Sequence, residues 1–175
     1  MMMIRKATAS NIPAVAAAYE ELLLHEEACG THSNWRRGLY PVRATAEGAL
    51  LEGTLFVLDD KGTIRGSLIL NEKEPAEYSA VPWQYTGNVL VAHTLCIPPS
   101  SAGQGFGRTF MTFALEWGKQ KGYDAFRLDT WAHNEPAAAL YRSLGFRLAG
   151  SGEALLQGVI PETLIFFEKE LRQKS

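Results

Sequence analysis

The segment Ala102-Gly103-Gln104-Gly105-Phe106-Gly107-Arg108 sets three glycines at alternate positions, between an apolar run (Val89 to Ile97) and a helical pattern (Phe106 to Lys121). Glycine lets the backbone take positive φ and lets N–H groups approach a ligand with no Cβ in the way. A strand, a glycine turn and a helix start in succession form an anion site. Unpaired N–H groups and the positive end of the helix dipole there point in one direction. The chemistry expected at this turn is the binding of a phosphate-bearing molecule.

Spacing excludes two phosphate-binding patterns. A P-loop requires G-x-x-x-x-G-K-[ST], and no Lys-Ser or Lys-Thr follows these glycines. The dinucleotide fingerprint G-x-G-x-x-G is absent as well, because the pattern here is G-x-G-x-G. The strand before the turn also ends in Pro98-Pro99 instead of running directly into the glycines.

The elements that must position this turn follow from apolar periodicity. Ile4 to Ala7 reads as an opening strand, and Ser10 as the N-cap of a helix carrying Ile12, Val15, Ala16, Tyr19, Leu22 and Leu23. Thr31 to Pro41 reads as a loop, and Arg43 to Leu51 as a short helix closed by Gly53. Leu55 to Leu58 and Ile64 to Leu70 read as strands joined at 59–62, and Glu74 to Asn88 as an irregular insertion. After Val89 to Ile97, the spacing predicts a helix with Phe106, Phe110, Phe113 and Trp117 in one apolar stripe, ended at Gly122. Ala125 to Trp131 is a further strand. Pro136 opens a helix capped near Asn134 or Glu135, which stops at Gly145. Phe146 to Ala149 and Thr163 to Leu171 are the final strands. The resulting order, β-α-α-β-β-β-α-β-α-β-β, is α/β without regular βαβ alternation. It fits one domain over residues 1–175, a mixed and mostly antiparallel sheet flanked by helices.

Composition limits the partners. A net charge of −2 supplies no basic field for nucleic acid or an anionic membrane. No apolar run approaches the roughly 18 residues needed to span a bilayer. The start, Met-Met-Met-Ile-Arg-Lys-Ala-Thr, has no apolar signal-peptide core, and Cys29 and Cys96 form no metal or redox motif. A cytoplasmic protein without bound metal is expected.

With the elements in place, the chain resembles the GCN5-related N-acetyltransferase (GNAT) superfamily. One motif is Leu95-Cys96-Ile97-Pro98-Pro99-Ser100-Ser101-Ala102-Gly103-Gln104-Gly105-Phe106-Gly107. The other is Asn134-Glu135-Pro136-Ala137-Ala138-Ala139-Leu140-Tyr141-Arg142-Ser143-Leu144-Gly145-Phe146. Their order and spacing follow the family, and the resemblance covers essentially the whole chain. The family's usual Arg or Gln at the start of the glycine loop is Ala102 here, with Gln104 or Arg108 available to compensate.

The resemblance implies acetyl-CoA held where two neighbouring strands splay, those ending at Ile97 and starting at Ala125. The pantetheine arm would pair with the backbone of Leu95, Cys96 and Ile97. The amides of Gly103, Gln104, Gly105, Phe106, Gly107 and Arg108, beginning after Ala102, would take the pyrophosphate. Asn134, Ala138 and Tyr141 complete the implied cofactor contacts. Tyr141 is the family's acid: a phenol of unperturbed pKa about 10 keeps its proton for the departing thiolate. His93, four residues before Ile97, is the candidate base, with a water relay to Glu26 as the alternative and His25, His32 and His133 as weaker candidates. Cys96 reads as a small strand residue, since direct transfer is the family rule.

For the acceptor, Trp35, Tyr40, Tyr78, Trp83 and Trp131 fall in or beside loops expected near the cleft, and Asp129 has the charge to hold a cationic group. These favour a small or peptide-like amine. A homodimer, with the strand Thr163 to Leu171 pairing or packing against a second copy, is also in keeping with the family. The competing function is a non-catalytic acyl-CoA-binding module with sensory or regulatory duties.

Overall fold

The computed structural model describes residues 1–172. Seven strands and four α-helices alternate as β1 (Met2–Lys6), α1 (Ile12–Cys29), α2 (Arg43–Leu51), β2 (Leu55–Asp60), β3 (Thr63–Asn71), β4 (Val89–Cys96), α3 (Phe106–Gln120), β5 (Ala125–Trp131), α4 (Glu135–Ser143), β6 (Arg147–Leu156) and β7 (Ile160–Glu170). This is the order expected from the sequence. The strands form one mixed sheet in the order β1-β2-β3-β4-β5-β7-β6. The β1–β2, β2–β3, β5–β7 and β6–β7 pairs are antiparallel, while β4–β5 is parallel.

Two compact units divide the chain. The first holds Met1–Thr31, Trp35–Leu70 and His93–Met111, and the second holds His32–Asn34, Asn71–Ala92 and the chain from Thr112 onward. In the first, Ile12, Val15, Ala18 and Tyr19 of α1 and Ala46 and Ala49 of α2 pack on Leu55, Val57, Ile69 and Cys96. Gly66 is required in this unit. A Cβ there would lie 2.6 Å from Ile97 Cδ1 and 2.8 Å from the Cys96 carbonyl oxygen. In the second, Tyr78, Val91, Ala149, Leu164 and Phe166 form a core lined by Val81, Trp83, Val89 and Ala154.

Several local expectations are corrected. Ser10 is not the cap of α1. A 3-10 turn over Ala9–Asn11 precedes that helix, closed by the Thr8 N–H donating to Asn11 Oδ1 at 2.9 Å. The buried stripe of α3 is Phe106, Phe110, Met111, Ala114 and Leu115, with Phe113 and Trp117 only half-buried at its border. Strands β6 and β7 form a hairpin longer than expected, paired from Arg147↔Glu168 to Leu156↔Ile160 with a register shift between Leu148 and Gly150. Gly150, Ser151 and Gly152 had obscured the alternation of β6. Strand β7 lies between β5 and β6 with both ladders occupied, so it offers no free edge to a second copy.

The insertion between β3 and β4 is ordered by buried charge. Arg127 on β5, 6% exposed, donates to Glu74 Oε2 at 2.8 Å and to the Tyr85 carbonyl at 2.7 Å, and lies 4.4 Å from the Trp83 ring. Glu168 on β7 is wholly buried and accepts from the Gln84 N–H (2.7 Å), the Tyr85 N–H (3.2 Å) and Arg147 Nη2 (2.7 Å). Both of these buried charges have a partner of opposite sign, Glu74 for Arg127 and Arg147 for Glu168, as burial demands.

Candidate functional site

The first unit carries the glycine turn. Pro98 and Pro99 end β4, and the Ser101 and Ala102 N–H groups return to the Pro98 and Pro99 carbonyls at 2.8 and 3.1 Å. Gly103 and Gly105 then take φ +74° and +77°, a region costly for any residue with a Cβ. The space where their Cβ atoms would sit is open to at least 4 Å. Helix α3 starts at Phe106, and its first hydrogen bond runs from the Thr109 N–H to the Gly105 carbonyl at 3.0 Å. The Phe106 and Gly107 amides therefore precede the intrahelical ladder. Open space, left-handed glycines and a helix N-terminus fit a pyrophosphate. Ala102 and Gln104 are exposed, as is Arg108.

Helix α1 holds this turn from behind. Glu21 accepts from the Ser100 N–H at 2.6 Å and from Ser100 Oγ at 3.1 Å. No sequence signal pointed to Glu21, because a glutamate on an amphipathic helix usually reads as solvated. Glu26, one turn on, is buried and accepts from Thr31 Oγ1 at 3.0 Å.

Strand β4 is distorted at the residues assigned to the pantetheine arm. Thr94 has φ +53°, an outlier for a β-branched residue. Its buried hydroxyl is hydrogen-bonded to the Tyr40 phenol, and Tyr40 in turn meets Trp35 edge-on at 5.8 Å. His93 and Leu95 are half-buried on either side, as is Ile97, whereas Cys96 is fully buried. Burial, aided by the Glu21 and Glu26 charges, pushes the Cys96 thiol up to about 12, so it carries no thiolate at neutral pH. The parallel β4–β5 ladder has three register pairs, Val89↔Ala125, Leu90↔Phe126 and Val91↔Arg127, although β4 continues to Cys96 and β5 to Trp131.

The second unit carries the remaining candidates. Asn134 caps α4, its Oδ1 accepting from the Ala137 N–H at 3.3 Å. Ala138 and Tyr141 are the buried residues of that helix. The Tyr141 ring packs 5.9 Å from Phe146 and 5.6 Å from Phe167. Burial, and then the nearby Asp129 charge, raise its phenol pKa, which keeps it protonated. Asp129 is half-buried on β5 opposite Phe166, and its Oδ2 accepts from the Tyr78 hydroxyl at 2.7 Å. Burial pushes the Asp129 carboxyl up to about 6 against that hydrogen bond, and the charges of Glu162 and Glu77 add to the rise.

Trp131 lies 4.8 Å from the His133 ring, and Trp83 donates its indole N–H to the Tyr78 carbonyl at 2.8 Å. Asn34, buried with φ +64°, donates to Glu162 Oε2 at 3.0 Å. The candidate residues thus form two groups, one in each unit. Tyr78 is the residue that sequence reasoning undervalued: it reads as a loop aromatic but is 1% exposed and fixes a carboxylate.

A sequence profile described as the Acetyltransferase (GNAT) family matches residues 17–146. The chain is 30% identical over 87 residues to a streptothricin acetyltransferase of Streptomyces lavendulae, a match covering 50% of this chain and 46% of that protein. This chain therefore spans about half the length of that curated relative. Among solved structures, a GNAT-family acetyltransferase of Streptococcus agalactiae matches with a TM-score of 0.81 at 21% identity, over 99% of this chain and 96% of that one. A Salmonella typhimurium protein solved with acetyl-CoA as its cofactor matches with a TM-score of 0.71 at 18% identity, over 100% and 96%. No helix among the described residues is long and apolar enough to cross a membrane.

Proposed function

The chain belongs to the GNAT acetyltransferase family, whose acetyl donor is acetyl-CoA, and from that premise we propose that residues 1–175 act as one N-acetyltransferase domain that acetylates a primary amine by direct transfer. The observation that carries this reading is the turn from Ala102 to Arg108, where Gly103 and Gly105 hold left-handed backbone at the start of α3. Acetyl-CoA, when bound, supplies an acetyl group activated as a thioester. The amides of residues 103–108 hold its pyrophosphate, and the backbone of Leu95 to Ile97 holds its amide-bearing arm. Asn134 and Ala138 of the α4 motif are the further residues assigned to the cofactor.

Tyr141 supplies the proton to the departing sulfur. A buried phenol beside a carboxylate stays protonated at neutral pH, and it would give that proton to sulfur only as the amine's remaining proton passes to the phenol oxygen. Before attack, the acceptor must lose a proton, and the sequence offers His93 on β4 or a water relay to Glu26 as candidate bases for that step. Trp35, Tyr40, Trp83 and Trp131 are assigned to the acceptor together with Asp129. The relative's name directs the first trial to streptothricin, followed by simpler primary amines.

A second reading, an acyl-CoA-binding module without turnover, is favoured only by Ala102, which places a methyl group where an Arg or Gln side chain would reach a phosphate. Calorimetric titration with acetyl-CoA and with NADH, followed by a screen for CoA release over amines, separates the two. Saturable binding of acetyl-CoA alone with amine-dependent CoA release supports the enzyme. Binding without release over the whole panel supports the module. Tyr141→Phe should lower kcat more than tenfold with acetyl-CoA affinity within about twofold, which is the pattern of a group acting only in the transition state. Unchanged turnover removes Tyr141 from the acid role.

A further inference from the structure

Asp129 is placed to do more than attract a cation. One carboxylate oxygen is fixed by the Tyr78 hydroxyl at 2.7 Å. The other oxygen has no hydrogen-bond partner among the described residues, and the side chain is only half-buried. Tyr78 is itself immobilised, 1% exposed and edge-on to Phe166 at 5.6 Å, with Trp83 at 5.2 Å. Asp129 pairs with Phe166 in the β5–β7 ladder, one step from the Leu128↔Phe167 pair whose phenylalanine packs on Tyr141. These two pairs face opposite sides of the sheet, and the Asp129 charge still reaches the buried Tyr141 phenol. The titratable groups that act on or at Asp129 are Tyr78 and Glu77 from the turn Ala76–Ala80, Glu162 from β7 and Tyr141 from α4, while Arg127, two positions before it on the same face of β5, is paired with Glu74.

We propose that Asp129 is the group that takes the proton from the acceptor's ammonium, and that Tyr78 is the positioning residue that holds it in place. This rests on the acetyltransferase reading above. The ammonium gives one proton to Asp129 Oδ1. The freed nitrogen lone pair then forms the C–N bond, the C–S bond breaks, and sulfur receives the Tyr141 proton. The second proton lost by nitrogen restores Tyr141, and Asp129 releases its own proton to water. The net reaction yields amide, CoA thiol and one proton.

The shifted carboxyl has the right sign for this work. A base acts in its deprotonated form, which Asp129 adopts above about 6, so the rate falls as pH drops through that value. The Tyr78 hydrogen bond stabilises the charged form, and its removal raises the carboxyl further.

The test is a pH–rate profile of the full chain with acetyl-CoA and streptothricin, for wild type, Asp129→Asn and Tyr78→Phe. It is joined by carbon NMR titration of the Asp129 carboxyl and by calorimetric acetyl-CoA binding. Asp129→Asn should lose about a hundredfold or more in kcat and lose the acidic limb, with acetyl-CoA affinity unchanged. It should keep most of its rate with hydroxylamine, an acceptor already neutral at pH 7, which a merely misfolded site would not do. Tyr78→Phe should move the acidic limb and the NMR titration up together by about one to two pH units. An Asp129 that titrates in the ordinary carboxylate range overturns the proposal without any acceptor. So does an acidic limb that survives in Asp129→Asn and vanishes in His93→Ala. Failure to bind acetyl-CoA sinks the acetyltransferase reading itself, and binding with normal transfer by Asp129→Asn sinks only this one.

Discussion

Glu168→Gln replaces one oxygen by nitrogen in a side chain with no exposed surface, and its cost can be worked from the bonds it disturbs. The carboxylate accepts from the Gln84 and Tyr85 N–H groups and from Arg147 Nε and Nη2 at 2.7 to 3.2 Å. The amide keeps one acceptor oxygen. Its NH2 faces a donor and leaves at least one buried N–H unpaired, at about 1–3 kcal/mol. The surviving bonds fall from charge-assisted, about 1.5–3 kcal/mol each, to neutral, about 0.5–1.5 kcal/mol. The smaller desolvation cost of a neutral group offsets part of this, leaving a net loss of about 2–4 kcal/mol. For a chain of this size, that lowers Tm by roughly 5–15 °C. Urea unfolding at pH 7, followed by far-UV circular dichroism and by total tryptophan fluorescence, measures the loss. Acetyl-CoA affinity should stay within twofold, while KM for the acceptor rises as the 74–88 segment loosens. A loss under about 1 kcal/mol with an unchanged KM would refute the idea that Glu168 holds this segment.

Glu21→Ala removes both bonds to Ser100 and should weaken acetyl-CoA binding about three- to tenfold by calorimetry without changing Tm by more than a few degrees. Equal affinity would show that the turn holds its shape unaided. Cys29 is exposed and Cys96 buried, so Ellman's reagent at pH 8 should find one thiol in the native protein and two in guanidinium. Two fast native thiols would contradict the raised Cys96.

The order of elements was legible in the sequence because each helix carries several apolar residues at helical spacing and is followed within two residues by a glycine (Gly30, Gly53, Gly122 or Gly145). The glycine turn was legible for a sharper reason: its conformation requires φ values that only glycine adopts cheaply, so the residue type records the backbone. Strand β6 was not, since three small residues, Gly150, Ser151 and Gly152, interrupt its pattern. The left-handed Thr94 was illegible because a threonine in a strand pattern is the residue least expected there, and tertiary contacts overrode its preference. Asp129 could be named from its charge, but its Tyr78 partner lies 51 positions away in a stretch without periodicity. Arg127 and Glu168 read as polar positions on half-exposed strands. Their burial depends on an insertion whose course no local pattern discloses.

The way that insertion is gripped bears on how such a protein can diverge. Arg127 takes the Tyr85 carbonyl, and Glu168 takes the Gln84 and Tyr85 N–H groups. Each of these handles is main chain, present whatever side chain occupies the position. In these contacts the clamp is blind to the sequence it holds, while Glu74, Tyr78, Val81 and Trp83 add side-chain contacts of their own. The exposed side chains between Glu74 and Gln84, such as Ser79, can be exchanged while the segment still docks at the same place. The exposed surface of the insertion is a replaceable cassette on a fixed mount, open to drift in nature and to grafting in the laboratory.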